Sequence, residues 1–314
     1  MIRCSEAGLL AGEPLTASAP VAMSWVVLEQ PGPWGPKALT DSHLDPDLGA
    51  ALEARATRHD ARVSLVRRPG HHADTVAATS HRLWIAATRP GASWLLGGWI
   101  ASPAVLDQLS WPALAAGDHR GVAASVPGLE LDPDPLLLVC TNGRRDVCCA
   151  LTGRPLVEAL RDRLLGRVWE TTHLSGHRFA PTAVVLPHGV AYGRLDPATA
   201  AKVFDAARDG HFVAENYRGR STFTRPAQAA EAAVRQVTAA GGLDDLDVVS
   251  VERRNESWRA VVVHQGGRRW AVDVHEKILD GSRPESCGAT SVPPTVFVAD
   301  PPRLGLAHDP SRER

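Results

Sequence analysis

The sequence predicts an α/β protein of two lobes followed by a small αβ appendage. Three observations carry this expectation. Short apolar, β-branched runs such as WVVLE, LLLVC and AVVL recur between turn signals. Helical segments with apolar residues four apart alternate with them, two of them opened by Asp-Pro, which supplies an N-cap and a first-turn proline. The acidic, proline-rich stretch LELDPDP interrupts the pattern and marks a domain boundary, giving segments 1–130, 131–222 and 223–314. At 314 residues the chain can bury a sizeable core in each lobe.

In chain order, RCSEAGLLAGEPLTASAP reads as an arm or short helix laid over the body, and Trp25 to Glu29 as a strand. QPGPWGPKAL is a rigid loop around Trp34, placed where loops line sites in α/β folds. Asp45-Pro46 opens a helix reaching about His59, with Leu48, Leu52 and Ala56 on one face. Strands follow at Arg62 to Val66, Arg82 to Ala87 and Trp94 to Ile100, and a helix at Ala104 to Leu109 closes the lobe. The second lobe starts with a strand at Leu136 to Val139. Gly153-Arg154-Pro155 then opens a helix carrying Leu156, Leu160 and Leu164, which Gly166 stops. RVWETTH, Ala183 to Leu186 and Val190 to Leu195 read as strands, and Asp196-Pro197 caps a helix ending near Gly210. This β-α-β-β-α order is compatible with a thioredoxin-like domain, and the first lobe is a looser version of the same plan, as an internal duplication would leave. The third segment has a helix at Pro226 to Ala240 and strands at Val248 to Val251, Trp258 to His264 and Trp270 to Val274. SRPESCGATSVPPT and AHDPSRER read as loop and tail.

Composition excludes some functions. With 34 Lys and Arg against 35 Asp and Glu the chain lacks the basic excess of a nucleic-acid binder. No run reaches membrane-spanning length and no secretory leader pattern is present. A soluble cytoplasmic protein is expected, with neither nucleic acid nor membrane as partner. In a reducing compartment, clustered cysteines are ligands or redox groups rather than structural disulfides.

Three of the five cysteines, Cys140, Cys148 and Cys149, precede His173 and His177. Strand-like runs deliver Cys140 and His173 to loops, so two soft sulfurs and two imidazoles converge at strand ends. Such donors select zinc, copper or an iron-sulfur cluster over hard cations. The C-x8-C spacing departs from the two to four residues of zinc fingers.

CTNGRRDVCCA, HLSGHRFAPTAVVLPHGVAYGRL, the RCSEAGLLAGEPL arm, the GPWG loop and ESCGA resemble the sucrase/ferredoxin-like family along nearly the whole chain. The resemblance implies a thioredoxin-like ferredoxin domain with a [2Fe-2S] cluster on Cys140, Cys149, His173 and His177. Cys148 remains an alternative ligand, because sequence does not say which of two adjacent sulfurs faces inward. Mixed ligation implies a Rieske-like, proton-coupled electron carrier serving an unidentified redox partner protein. No carriage of sucrose chemistry follows, since no carboxylate pair stands in recognisable context. Two alternatives stay open: a structural Cys2His2 zinc site, and a thiol-dependent reductase or thioltransferase with Cys149 as nucleophile and His173 as base.

Other residues carry weaker expectations. Arg144, Arg145 and Asp146 form either a solvated turn or a charged docking loop. Gly143 and Gly176 supply turns or close backbone approach. His71 and His72 read as surface loop, His188 as an exposed turn residue, and Cys4 and Cys287 as buried thiols or a second redox pair. A vicinal Cys148-Cys149 disulfide is a further option. Core packing accounts for Trp25, Trp34, Trp84, Trp94 and Trp99.

Overall fold

The computed structural model describes residues 2–70 and 80–305. The elements are α1 (Cys4–Leu10), β1 (Ser24–Glu29), α2 (Pro46–Arg58), β2 (Ala61–Arg67), β3 (His81–Ala87), β4 (Trp94–Ile100), α3 (Trp111–Ala116), α4 (His119–Ser125) and β5 (Leu129–Leu131). The second half continues with β6 (Leu136–Cys140), α5 (Val147–Leu160), β7 (Val168–Thr171), β8 (Ala183–Leu186), β9 (Val190–Tyr192), α6 (Pro197–Arg208) and β10 (Tyr217–Arg220). Then come α7 (Arg225–Thr238), β11 (Leu246–Arg254), β12 (Ser257–His264), β13 (Arg269–Ile278), β14 (Arg283–Pro284), β15 (Ser291–Val292), β16 (Thr295–Ala299) and β17 (Arg303–Gly305).

The α/β class is what the structure has. Ten strands form one mixed sheet in the order β10-β9-β8-β6-β7-β2-β1-β3-β4-β5. Within it the two halves repeat one arrangement: β1 is parallel to β2 and antiparallel to β3, and β6 is parallel to β7 and antiparallel to β8. They meet where β2 pairs with β7 through Val66↔Thr171 and Arg67↔Glu170. The sheet is therefore continuous across the acidic stretch, which itself contains the edge strand β5. Beneath the junction Trp84 and Trp169 meet edge to face with centroids 4.9 Å apart, in an apolar cluster that also contains Cys140 and Cys149.

Local signals explain most boundaries. Asp45 accepts the Leu48 N–H at 2.9 Å to start α2, and Asp196 accepts the Ala198 N–H at 2.8 Å to start α6. The second helix differs from expectation. It starts at Val147 under an Asp146 cap, and Pro155 lies inside it. Gly153 marks a packing contact rather than a helix start, because a Cβ there would collide with the Cys140 carbonyl. The helix expected at Ala104 to Leu109 is a 3-10 turn, Pro103–Gln108, and α3 and α4 follow it under Ser110 and Asp118 caps.

The last third wraps α7 with a second, antiparallel sheet of order β11-β12-β13-β16, with β17 also on β13. The stretch read as loop contains β14 and β15, which pair as a ribbon. Arg283 anchors that ribbon on the buried Glu13 at 2.8 Å, and Arg178 reaches the same carboxylate at 2.5 Å.

Candidate metal centre

Cys140 is the last residue of β6 and is buried between β7 and β8. The chain then turns tightly, with the Arg145 N–H donating to Asn142 Oδ1 at 3.3 Å. Asp146 next accepts the Cys148 N–H at 2.9 Å. That cap puts Cys148 and Cys149 in the first turn of α5. Gly153 lets α5 lie directly on the end of β6, which brings Cys149 over Cys140.

His173 stands just beyond β7, and His177 opens a 3-10 turn, His177–Phe179. Gly176, with φ 73°, adopts the left-handed conformation between them, and a side chain there would collide with the Arg218 guanidinium. The Ser175 N–H donates to His173 Nδ1 at 3.3 Å. The two imidazoles stack with centroids 4.4 Å apart, and His177 Nδ1 lies 3.3 Å from Cys149 Sγ.

The structure thus brings Cys140, Cys149, His173 and His177 together. A hydrogen bond from Cys149 holds the Cys140 thiol well below its ordinary range despite burial, and His173 and the Asn142 backbone support it. The same bond, with burial, pushes Cys149 up. The two sulfurs therefore titrate together, with the negative charge favoured on the Cys140 side. Burial and then the neighbouring His173 lower His177 to about 4, leaving a neutral ring with a lone pair at pH 7. Both sulfurs are only 1% exposed, whereas the half-buried His173 opens on a cleft of about 190 Å³ shared with Arg62, Asn142 and Arg145.

Two arginines that sequence reasoning did not single out set the local field. Arg218 is fully buried, and burial lowers it to about 9. Its Nε donates to Ser18 Oγ at 3.0 Å and its Nη2 to the Ser18 carbonyl, while Nη1 has no partner among the described residues. Its charge acts on both Cys140 and Cys149. Arg62 donates to the His173 carbonyl and faces Cys140. No local motif announces either one, because Arg218 reaches the site from β10 and Arg62 from β2.

Cys148 turns away from this group, toward Cys4 and Cys287. Asp146 is buried rather than paired with an arginine in a solvated turn, while Arg144 and Arg145 are exposed. His188 is half-buried, 3.4 Å from Ser93 Oγ, instead of exposed. Trp99 is 49% exposed and lies under Arg82 and Arg68, so core packing does not account for it. His71 and His72 lie outside the described residues. No disulfide joins Cys148 to Cys149, and all five cysteines are free thiols.

Fold and site together define an α/β protein with a buried thiol–imidazole centre at the ends of adjacent parallel strands. The family profile described as sucrase/ferredoxin-like matches residues 15–219, and the chain belongs to that family. A stretch of 98 residues is 32% identical to "Altered inheritance of mitochondria protein 32" of Meyerozyma guilliermondii, covering 27% of this chain and 34% of that protein. No solved structure matches. Among the described residues no helix is long and apolar enough to cross a membrane.

Proposed function

We propose that the chain is a one-electron carrier whose Cys140, Cys149, His173 and His177 hold a [2Fe-2S] cluster. The observation that carries this reading is the convergence of two sulfurs and two stacked imidazoles beside a buried arginine with an unpartnered N–H. The donor set fits such a group. Thiolate is already favoured at Cys140, His177 is neutral, and the free Nη1 of Arg218 awaits negative charge. When bound, the group supplies one-electron transfer at a potential above that of all-thiolate ferredoxins.

The chain's own residues do the rest. β6 and the capped first turn of α5 fix the sulfurs, and the turn through Gly176 fixes the rings. Trp84, Trp169 and Leu174 pack in the same apolar cluster as the sulfurs and keep water from them. His173 lines the solvent-facing cleft and gives the site its opening to water. Exposed Arg144 and Arg145 beside exposed Val147 and Leu151 suit an acidic redox partner protein with an apolar contact. The β2-β1-β3-β4 and β7-β6-β8-β9 orders support reading both halves as thioredoxin-like. Five free thiols suit a reducing compartment such as the cytoplasm.

The thiol-enzyme alternative is weaker. Cys149 is buried and faces His177, while His173 faces Cys140, so no nucleophile–base pair opens to a substrate. The test is the visible and electron paramagnetic resonance spectrum of protein purified without oxygen, before and after dithionite. A visible band that bleaches, a signal on reduction, and altered spectra in His173→Ala and His177→Ala are expected. A colourless wild type carrying zinc on these four residues sinks the carrier reading.

A further inference from the structure

The molecule holds a second group of donors that the proposed carrier site does not use. Cys4 Sγ lies 3.6 Å from Cys148 Sγ, Cys148 Sγ 3.3 Å from Cys287 Sγ, and Cys287 Sγ 3.6 Å from Cys4 Sγ. Asp146 completes the group, with its two carboxylate oxygens 3.8 and 3.6 Å from Cys4 Sγ. We propose that Cys4, Cys148, Cys287 and Asp146 form a closed structural site for one tetrahedral, thiophilic divalent cation, zinc.

Geometry separates this from ordinary thiol packing. A disulfide requires sulfurs about 2.05 Å apart. Three thiolates on one zinc at about 2.3 Å stand about 3.8 Å from each other, the edge of a tetrahedron. The observed triangle needs to expand by only a few tenths of an ångström to accept the ion. The fourth donor is already oriented. Asp146 Oδ2 accepts the Cys287 N–H at 2.7 Å and Ser286 Oγ–H at 2.8 Å, and Oδ1 accepts the Cys148 N–H. One Oδ1 lone pair is left over, and polar support of this kind is what fixes metal-binding carboxylates. Ser5 Oγ, 3.2 Å from Cys148 Sγ, adds a further hydrogen bond at the rim.

Charge points the same way. Asp146 is buried, and no ion pair to it is formed among the described residues. A cation would join this carboxylate to the three sulfurs, and zinc binding would release the three thiol protons. The connectivity makes structural sense as well. The ion would tie three remote pieces together, α1, the first turn of α5 and the β14–β15 ribbon. Neighbouring Cys149 would then be held toward the histidines. Cys4 and Cys287 both lie outside the family-matched residues 15–219.

The test is metal analysis of protein purified without oxygen from zinc-containing medium, with zinc-edge X-ray absorption on the wild type and Cys4→Ser, Cys287→Ser and the double variant beside it. About one zinc per chain is expected, with three sulfur neighbours at about 2.3 Å and one oxygen. The double variant should lose it while keeping the visible spectrum of the Cys140 and His177 group, and a chelator should lower the melting temperature of wild type only. Wild type that stays zinc-free after addition of zinc chloride overturns the site. So does zinc retained by the double variant, or a disulfide among the three cysteines by mass spectrometry. Cys4-dependent zinc in protein without iron would uphold this site while ending the carrier reading, so the two failures are distinguishable.

Discussion

The two halves of the large sheet share one strand order but not one chemistry. At the end of β1 the parallel register pairs Glu29 with Val66; at the end of β6 it pairs Cys140 with Thr171. Two residues past those partners stand Arg68 and His173. In the first half the carboxylate of Glu29 therefore meets Arg68 at 3.4 Å, where the second half sets a thiolate against an imidazole. Val66 and Thr171, equivalent by this count, are also each other's partners across the junction, so the halves are related by an approximate two-fold. Loop length widens the difference. Residues 141–146 are just enough to swing α5 over Cys140, whereas residues 30–45 wind through Trp34 before α2 begins. A shared backbone plan thus makes an ion pair or a thiol–imidazole cluster according to the strand-end residue and the loop behind it.

The strongest way to break this comparison is at the strand ends. Cys140→Ala is expected to abolish iron binding and the visible spectrum. Glu29→Ala, at the matching place, should leave both intact and cost roughly 1–3 kcal/mol, since the buried carboxylate also accepts the Arg82 backbone N–H at 3.0 Å. If Glu29→Ala also loses iron, the halves are not chemically independent.

The packing glycines give the next contrast. A Cβ at Gly153 would strike the Cys140 carbonyl, and one at Gly49 the Leu39 carbonyl. Each Gly→Ala change should destabilise by roughly 1–3 kcal/mol in denaturant melts. Only Gly153→Ala should also lower iron occupancy, because it lifts α5 and Cys149 from Cys140.

A smaller effect is expected from Arg218→Gln. Removing a buried positive charge that faces both sulfurs should lower the midpoint potential by on the order of tens of millivolts in a redox titration. Unchanged potential would show that this charge is neutralised elsewhere. Arg68→Gln, in the other half, should not move it.

The last expected effect is on acid stability. In the metal-free protein, burial lowers both His177 and His188 to about 4, with Arg220 adding to the shift at His188. Their folded values lie below the usual 6.5, so the unfolded chain binds more protons in between. Stability is unaffected by these groups above about pH 6.5 and falls as pH drops toward 4, by about 1–3 kcal/mol per histidine. His188→Asn should flatten part of that slope in melts between pH 7 and 4.5, and an unchanged slope would show that another group sets it.

Much of the architecture was legible because it is local. Alternating apolar runs bounded by turns placed β4 and β8, and Asp-Pro pairs placed α2 and α6. The same local reading misplaced the start of α5. Gly153 and Pro155 look like a helix opening, yet the Asp146 cap lies two turns earlier and the glycine answers to a strand not adjacent in sequence. The edge strand β5 hid in a proline-rich stretch because its pairing with β4 is a tertiary contact.

Periodicity and short-range capping, by themselves, determined the α/β class and most elements, whereas the set of four donors rested on the resemblance to the sucrase/ferredoxin-like family, with Cys148 left as an alternative. Side chains of matching chemistry near strand ends are visible in a string of letters. Only the tertiary structure decided how the cysteines divide. Adjacent residues in a helix point about 100° apart, so Cys149 faces His177 while Cys148 faces Cys4 and Cys287, which sit near opposite ends of the chain. Packing alone brings Arg218 beneath the sulfurs and Asp146 among the three thiols, because burial against remote segments is written in no local pattern.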